Sequence, residues 1–309
     1  MRVIAAASLA LALAGPAQAA LKPGRTATID VAVATLWKAP GLYRAIDRPS
    51  LTNPVDPVTW GANLATTESR VWLDSHVQTQ ALYGQTVYVL AVRDGWAKVA
   101  VRDEPDPQDP HGYPGWLPAS QLATGFDDRG KYVVTVARNA RLLVHGRTTM
   151  LSYGTQLPLV KWGGDFAVVR TPDGVGTVSG VEEPLRFSAA SIVRQAERFV
   201  GVRYLWGGLS AWGYDCSGLV WDVFRVHGLT IPRDADPQFH HGTPVARSQL
   251  RVGDLLFWGV KNYADHVAIY AGDGRIIHAS SSVGGVGYTD LNTGGEWFVE
   301  YFVAARRLL

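Results

Sequence analysis

Short apolar runs rich in β-branched and aromatic residues dominate the chain from about residue 26 to residue 185. The runs at 85–92, 96–101 and 131–136 alternate or cluster such residues, and Gly, Asp and Pro lie between them. This pattern is typical of short strands joined by tight turns. It predicts small all-β barrels in this part of the chain.

A repeat divides this region into two units. Residues 83–99 resemble residues 153–169, because each segment begins with a Tyr-Gly pair and continues as apolar run, turn, aromatic residue and second apolar run. Two similar barrels in tandem are therefore predicted, at 26–125 and 126–185.

Two segments interrupt the first barrel. Residues 39–60 are rich in Pro, Asp and Asn, which indicates a loop or a helical insertion. Residues 104–114 (EPDPQDPHGYP) contain four prolines. Since proline cannot donate to a sheet, this segment is predicted to be a rigid polar loop rather than a central strand.

Near residue 186 the apolar spacing changes to a helical period. Ser188 can cap a helix that stops at Gly201, and a second helix runs from about 216 to 227 and ends at Gly228. The positions predicted to share the buried face of the first helix are Ile192, Val193, Ala196, Phe199 and Val200. Strands follow at 255–258, 266–271 and 275–280. Helices followed by an antiparallel sheet predict an α+β domain at 186–309.

The first residues have the pattern of an export signal. Arg2 precedes an apolar run at 3–14, and Ala17-Gln18-Ala19 matches a small-residue cleavage site. This predicts a signal peptide at 1–19 and an exported protein, periplasmic or secreted. After residue 19 no run approaches the roughly 18 apolar residues of a membrane-spanning helix, so no span is expected after cleavage.

Charge and composition exclude other classes of function. The chain has 29 basic and 27 acidic residues and a net charge of +2, which gives no electrostatic case for binding nucleic acid. His240 and His241 are adjacent, so their side chains diverge, and no further ligands have the spacing of a metal site. We predict neither a metal nor a cofactor.

Cys216 is the only cysteine, so the chain cannot form an internal disulfide. Asp215 is placed to cap the second helix, which puts Cys216 in its first turn, where exposed N–H groups and the helix dipole lower a thiol pKa. A catalytic thiolate is one interpretation, and a buried, inert cysteine is the other. A nucleophile also needs a base and a group that orients the base.

His266 and His278 flank a predicted hairpin. If residues 272–274 form a three-residue loop, Ala271 faces Arg275 and the two histidines project from the same face. A two-residue loop would place them on opposite faces. The catalytic interpretation therefore requires an odd-numbered loop or a bulge, and the glycines at 272 and 274 permit either.

Five motifs in order carry a family resemblance. They are Tyr204-Leu-Trp-Gly-Gly, Asp215-Cys-Ser-Gly-Leu, Gly253-Asp-Leu-Leu-Phe-Trp, His266-Val-Ala-Ile-Tyr and Ile277-His-Ala. Together they resemble the NlpC-type cell-wall cysteine peptidases, which have a papain-like α+β fold, over about residues 188–309. The resemblance implies that Cys216 is the nucleophile, that His266 is the base and that His278 orients it.

The barrels resemble bacterial SH3-like modules, and the combination resembles the branch that cleaves γ-D-glutamyl to L-diamino acid bonds, such as those to diaminopimelate, in muropeptides. The resemblance implies substrate contacts at Tyr204, Asp215, Ser217 and Asp234, and Tyr113 is the match for an aromatic contact from the first module. Ala235 departs from the family pattern, which commonly has Ser there. The acidic residue that contacts the free amine of the stem peptide stays open, with Glu68 as one candidate and Gln85 as a neutral replacement.

The expected partners are peptidoglycan stem peptides or muropeptides, bound by a monomer. Two alternatives remain open from the sequence. One is a wall-binding protein without activity, and the other is a different acyl-transfer enzyme, such as an amidase, on the same fold.

Overall fold

The computed structural model describes residues 20–308, and the predicted signal peptide lies outside them. Seven antiparallel strands form the first module, in the order β3-β2-β6-β5-β4-β1-β7. They are β1 (Thr26–Ile29), β2 (Val33–Trp37), β3 (Val77–Leu82), β4 (Thr86–Arg93), β5 (Trp96–Val101), β6 (Tyr113–Pro118) and β7 (Leu122–Ala123). A 3-10 turn at Ala119–Gln121 precedes β7.

The second module repeats the first. Its strands are β8 (Tyr132–Thr135), β9 (Asn139–Val144), β10 (Arg147–Ser152), β11 (Gln156–Trp162), β12 (Phe166–Thr171), β13 (Gly174–Ser179) and β14 (Val181–Glu182). Their order, β10-β9-β13-β12-β11-β8-β14, equals the first order with seven added to each number. The Tyr-Gly pairs also correspond, because Tyr83 and Tyr153 are both buried and Gly84 and Gly154 both have a φ near +80°. The predicted tandem repeat is confirmed.

The insertion in the first module is helical. Between β2 and β3 lie a 3-10 helix (Ala45–Ser50), α1 (Pro57–Asn63), α2 (Thr67–Val71) and a second 3-10 helix (Trp72–Ser75). The proline-rich segment 104–114 is a loop for most of its length. Its last two residues, however, open β6, which lies between β2 and β5. The prediction that the whole segment stays out of a central strand is wrong there, because Pro114 falls near the start of the strand, where a missing donor is tolerated.

The C-terminal domain places helices on one antiparallel sheet. Its helices are α3 (Ala189–Glu197), α4 (Cys216–Arg225), α5 (Ala235–Phe239) and α6 (Trp297–Glu300). Its main strands are β17 (Thr243–Val245), β18 (Leu255–Val260), β19 (Tyr263–Gly272), β20 (Arg275–Ser280), β21 (Gly285–Asp290) and β22 (Phe302–Arg307), in the order β17-β22-β18-β19-β20-β21. A two-stranded sheet, β15 (Leu209–Ser210) and β16 (Gly213–Tyr214), precedes α4, and a 3-10 turn (Arg247–Gln249) precedes β18.

Helix α3 begins as predicted. The Ser188 hydroxyl accepts a hydrogen bond from the N–H of Ser191, which satisfies a donor that the first turn leaves free. Four of the five predicted inward positions are buried, but Val200 is 49% exposed. That prediction is wrong because α3 ends at Glu197, so Val200 no longer follows the helical phase.

One apolar core joins the modules to the C-terminal domain. Helices α3 and α4 pack on β19 and β20 through residues such as Ile192 and Leu219. Leu82 of the first module and Tyr153 of the second belong to the same buried cluster. The modules are therefore held against the domain that carries Cys216. Within residues 20–308, no helix combines the length and apolar character needed to cross a bilayer.

Candidate active site

Cys216 is the first residue of α4. The Asp215 carboxylate accepts a hydrogen bond of 2.6 Å from the N–H of Gly218, which caps the helix as the sequence predicts. The thiol is buried, with Cys216 only 7% exposed. Its Sγ lies 4.0 Å from the carbonyl oxygen of Asp265, so the start of α4 faces β19 beside His266.

Because residue 218 is a glycine, the backbone at Gly208 can lie against the first turn of α4. A Cβ atom at position 218 would lie 2.1 Å from the carbonyl oxygen of Gly208. Gly218→Ala is therefore expected to push α4 away from that segment, which costs about 1–3 kcal/mol of stability and lowers kcat/KM about a hundredfold by displacing the thiol. Denaturant unfolding and peptide hydrolysis measure the two effects.

Gly61→Ala is the matched control, because nothing lies within 4 Å of a Cβ at that helical position. It should leave both quantities nearly unchanged. If Gly218→Ala behaved like this control, the close approach at α4 would have no role in placing the thiol.

The hairpin between β19 and β20 resolves the two loop alternatives. Asp273 and Gly274 form a two-residue turn with φ of 51° and 73°, and Gly272 pairs with Arg275. A bulge at Ala271 then shifts the register, so that Ile269 faces Ile277. The bulge restores the pairing that a three-residue loop would give.

His266 and His278 consequently project from one face. The Nε2 atom of His266 lies 2.7 Å from Nδ1 of His278, and Nε2 of His278 lies 3.0 Å from the Thr289 hydroxyl. If Nδ1 of His266 is to receive the thiol proton, its Nε2–H must donate to His278, whose own Nε2–H then donates to Thr289. This chain fixes the orientation of the His266 ring. Sequence reasoning missed Thr289, which only the register of β20 with β21 reveals.

Aromatic rings surround His266. The ring of His266 lies 5.8 Å from those of Trp258 and Trp297, measured between centroids. Burial lowers the pKa of His266 to about 3, with a further contribution from His278, and burial lowers the pKa of His278 to about 4. Both rings are therefore neutral at pH 7, which is the state that accepts a proton.

The thiol is also neutral in the free protein. Burial raises the pKa of Cys216 to about 12, and the Asp215 carboxylate raises it further. The Arg233 guanidinium and the N–H groups of Val267 and Ser217 act in the opposite direction but do not offset burial. The helix N-terminus therefore acts in the direction that the sequence predicts, but desolvation leaves the net pKa of Cys216 above its ordinary value.

These shifts predict the pH dependence of hydrolysis. His266 accepts a proton only when neutral, and its pKa lies below the ordinary value of 6.5, so activity should persist as pH falls through 6 and be lost only toward pH 4. A profile of kcat/KM between pH 4 and 8 tests this, with circular dichroism as the control. An acid limb centred on the ordinary histidine pKa would contradict the burial of the pair.

The same histidines affect stability. The unfolded chain binds protons at the ordinary pKa of 6.5, while the folded pair binds them only near pH 3 to 4. Their contribution to stability is therefore present above pH 6.5 and lost as pH falls toward the folded values. The circular dichroism control separates this loss from the titration of activity.

A cleft with two arms surrounds these groups. One arm, of about 270 Å³, contains Cys216, and the other, of about 460 Å³, contains His266 and His278. Tyr204 and Asp265 line both arms and mark their junction. The predicted contacts Tyr113, Tyr204, Asp215, Ser217 and Asp234 all line the arm that contains the thiol.

Two family models match the chain. The model described as the NlpC/P60 family matches residues 201–307, and the bacterial dipeptidyl-peptidase Sh3 domain matches residues 73–122. A γ-D-glutamyl-L-lysine dipeptidyl-peptidase of Bacillus cereus (strain ATCC 10987) is 36% identical over 316 residues, which cover 95% of this chain and 94% of the relative. The chain belongs to the NlpC/P60 family.

A second relative and a solved structure are also similar to most of this chain. A protein of the same name from Bacillus subtilis (strain 168) is 34% identical over 269 residues, or 82% of this chain and 89% of the relative. The crystal structure of an NlpC/P60 family protein from Bacillus cereus ATCC 10987 superposes with a TM-score of 0.87 at 35% identity, covering 92% of this chain and all of that one. NlpC/P60 proteins are cysteine peptidases, and the predicted α+β fold with SH3-like modules is confirmed. The exact domain limits stay a prediction.

In this NlpC/P60 chain the first module is joined to the start of α4 through Arg233. The guanidinium is fully buried and donates to Asp215 Oδ2 at 2.7 Å, to Ser217 Oγ at 2.9 Å and to Thr79 Oγ1 at 2.9 Å. The Thr79 hydroxyl donates in turn to the buried Glu104 at 2.7 Å. Arg233 is thus a positioning residue that joins the helix cap to the first module.

Tyr113 and Asp234 meet each other across the same interface. The Tyr113 hydroxyl donates to Asp234 Oδ2 at 2.7 Å. Burial raises the pKa of Asp234, while Arg233 and this hydrogen bond lower it. The two predicted contacts therefore form one unit at the end of the arm.

The open candidates for an amine contact lie elsewhere. Glu68 is exposed on α2, and the buried Gln85 accepts a hydrogen bond from the N–H of Leu82. Neither lines the cleft. Asp106 and Asp236 do line it, in addition to the carboxylates already described. Sequence reasoning missed them because Asp106 lies in the proline-rich loop and Asp236 in the short helix α5.

No metal site is found among residues 20–308, since no three His, Cys, Asp or Glu side chains lie close enough together to hold an ion. His240 lies within 4 Å of Asp236 and is exposed. Asp254 is a buried structural residue, whose carboxylate receives two hydrogen bonds of 2.7 Å from Arg307.

Proposed function

We propose that the protein is a peptidoglycan hydrolase that cleaves stem peptides between the γ-carbonyl of D-glutamate and the amino group of an L-diamino acid. The observation that carries the proposal is that Sγ of Cys216 lies against Asp265, the residue before His266, where the arm that contains the thiol meets the arm that contains the His266–His278 pair. The names of the two Bacillus relatives support the choice of bond. The arm that contains the thiol takes the glutamyl side, and the other takes the diamino acid.

The reaction proceeds through a thioester. Cys216 transfers its proton to His266 as Sγ bonds to the γ-carbonyl carbon, and the protonated His266 then donates to the departing amine as the C–N bond breaks. Water next gives a proton to His266 and attacks the thioester, which releases the glutamate carboxylate and restores the thiol. His278 and Thr289 hold the His266 ring in one orientation during both steps.

The oxyanion has two donors. The backbone N–H of Cys216 points from the helix start, and the Tyr204 hydroxyl lies at the junction of the arms. Burial raises the pKa of Tyr204 well above its ordinary value, and the neighbouring Cys216 and Asp215 add to the shift. Tyr204 therefore keeps its proton at neutral pH and can donate it to the developing charge.

The first module closes one end of the cleft. Lys38, Gln78, Asp106 and Tyr113 line the arm from that side. A substrate seated there must end where the module begins, and the carboxylates of Asp106, Asp234 and Asp236 suit a terminal ammonium group. The substrate of this site is thus a released fragment with a free N-terminal L-alanine.

Acetylation of that amine is therefore expected to lower kcat/KM about a hundredfold, because it removes a charge-assisted hydrogen bond and adds bulk at a closed end. The comparison uses L-Ala-γ-D-Glu-L-Lys with and without an N-acetyl group. Asp106→Asn should reduce the penalty, since the variant discriminates less against a neutral terminus. Equal rates for the two peptides would exclude recognition of the amine.

Product analysis tests the function itself. Purified protein is incubated with L-Ala-γ-D-Glu-L-Lys or the diaminopimelate analogue, and the products are identified by mass spectrometry. Free diamino acid and L-Ala-D-Glu are expected. Binding without turnover would support a wall-binding protein instead, although the complete Cys and His set disfavours it. Cleavage of another amide would support a different acyl-transfer activity.

We propose an exported setting for the reaction and a single chain as the active unit. The export pattern at 1–19 supports action in the periplasm or outside the cell. A monomer suffices in this proposal, since one chain supplies the nucleophile, the histidine pair and the end wall of the cleft.

A further inference from the structure

A second cavity lies where the three parts of the chain meet. It has a volume of about 570 Å³ and shares no lining residue with either arm of the catalytic cleft. Its walls come from the turn after β1, the helical insertion, the second module and Trp212 of the C-terminal domain. The proposed reaction makes no use of it.

One end of this cavity is acidic. Asp30, Asp173 and Tyr83 line it, and the Tyr83 hydroxyl donates to Asp173 Oδ2 at 2.8 Å. The Oδ1 atom of Asp30 is shielded from solvent and has no hydrogen-bond partner among residues 20–308. Burial raises the pKa of Asp30 to about 7, and the neighbouring Asp173 adds to the shift. The Asn53 side chain hydrogen-bonds to the Asp30 carboxyl group and lowers this pKa, but burial outweighs it and Oδ1 is left without a donor from the residues described.

The same cavity has a basic group. Arg147 lines it from β10, and its side chain makes no hydrogen bond or ion pair within the described part of the chain. Arg147 lies near enough to Asp30 to lower the pKa of its carboxyl group. Burial, however, raises this pKa by more. An anion bound by Arg147 would therefore share the cavity with a cation bound by Asp30.

Apolar side chains form the remaining walls. Val55, Val58, Met150 and Trp212 are among them, and they come from three different parts of the chain. An apolar cavity with a few convergent polar groups is the usual form of a small-molecule site. Here the polar groups have opposite charges, which sets the chemistry of the ligand.

We propose that this cavity binds a zwitterion in which a primary ammonium group and a carboxylate are joined by a short apolar chain, as in lysine or a dipeptide. The ammonium group donates to Asp30 and Asp173, and the carboxylate accepts from Arg147. The ligand contacts both modules and the C-terminal domain, so its binding stabilises their arrangement. This site is independent of the proposed activity.

Calorimetric titration of the full chain with 6-aminohexanoate tests the proposal, because that probe carries only the two charges and an apolar chain. Binding is expected for 6-aminohexanoate, with an affinity at least about tenfold higher than for its N-acetyl derivative or for hexanoate, since a charge-assisted bond is lost in each. L-lysine and alanyl-alanine then distinguish a diamino acid from a peptide terminus as the source. Absence of binding by all three zwitterions at millimolar concentration would overturn the proposal.

Variants of Asp30 and Arg147 test whether 6-aminohexanoate binds in this cavity. Asp30→Asn should fold, because burial already disfavours its charge, and it should weaken 6-aminohexanoate about tenfold or more. Arg147→Gln, at an exposed position, should weaken it similarly, whereas the matched exposed control Asp165→Asn should not. Unchanged affinity in both Asp30→Asn and Arg147→Gln, or a loss confined to Asp106→Asn in the catalytic cleft, would contradict the assignment.

Discussion

Cys216→Ala is expected to lower hydrolysis of L-Ala-γ-D-Glu-L-Lys by at least about four orders of magnitude, because the thioester cannot form without the sulfur. Cys216 is the only cysteine, so no other thiol can take over. Substrate should still bind, since the side chains that line the arm are unchanged. Turnover by mass spectrometry and binding by calorimetry measure the two quantities separately.

Cys216→Ser is a useful companion variant, because it keeps a small hydrogen-bonding group at the start of α4. It should fold like the parent and still lose most activity, since His266 is matched to a thiol. Residual hydrolysis within tenfold of the parent in Cys216→Ala would show that another group attacks the peptide.

The second large effect concerns stability. Arg233→Met is expected to cost about 3–5 kcal/mol at pH 8, because it leaves the Asp215 carboxylate and the ionised fraction of Glu104 without this buried cation. Burial already raises the pKa of Glu104 to about 8, even though Arg233 lowers it. Removal of Arg233 therefore favours the protonated acid, and the loss in stability should be smaller at pH 5 than at pH 8.

A double-mutant cycle with Glu104→Gln checks this interpretation. Glu104→Gln keeps the shape and removes the charge, so the double variant should be destabilised by less than the sum of the single changes. Activity is a second readout, since loss of the Asp215 contact disturbs the cap of α4. Additive effects on unfolding would mean that Glu104 and Arg233 do not interact through Thr79.

The residues proposed here as catalytic each have a local signature in the sequence. Asp215 before Cys216 marks a capped helix, and the histidines flank a hairpin with glycines. The loop geometry could not be predicted, since the structure combines a two-residue turn with a bulge at Ala271. A bulge is a local backbone choice whose cost depends on the packing of the whole sheet.

Burial explains why the net pKa of Cys216 could not be predicted from the sequence. The sequence shows that Cys216 lies at a helix N-terminus, but not that the fold leaves the residue only 7% exposed. Desolvation then outweighs the N–H groups and the Arg233 guanidinium and raises the pKa to about 12. Electrostatics at the site depend on long-range packing, which a motif does not report.

Contacts between distant segments were likewise beyond sequence reasoning. Arg233 bonds to Thr79, which is 154 residues away, and Tyr113 bonds to Asp234, 121 residues away. The resemblance implied that Tyr113 and Asp234 act near substrate, but only the fold shows that they touch. The same holds for Asp106, whose place in the cleft depends on how the proline-rich loop folds over it.

Trapping with hydroxylamine tests the central claim most directly. If Cys216 forms a thioester with the γ-carbonyl of D-glutamate, hydroxylamine will intercept it during turnover of L-Ala-γ-D-Glu-L-Lys. We predict the γ-hydroxamate of L-Ala-D-Glu together with free lysine, and neither product with Cys216→Ala. Release of lysine without hydroxamate at high hydroxylamine concentration, or a hydroxamate on alanine, would contradict the account.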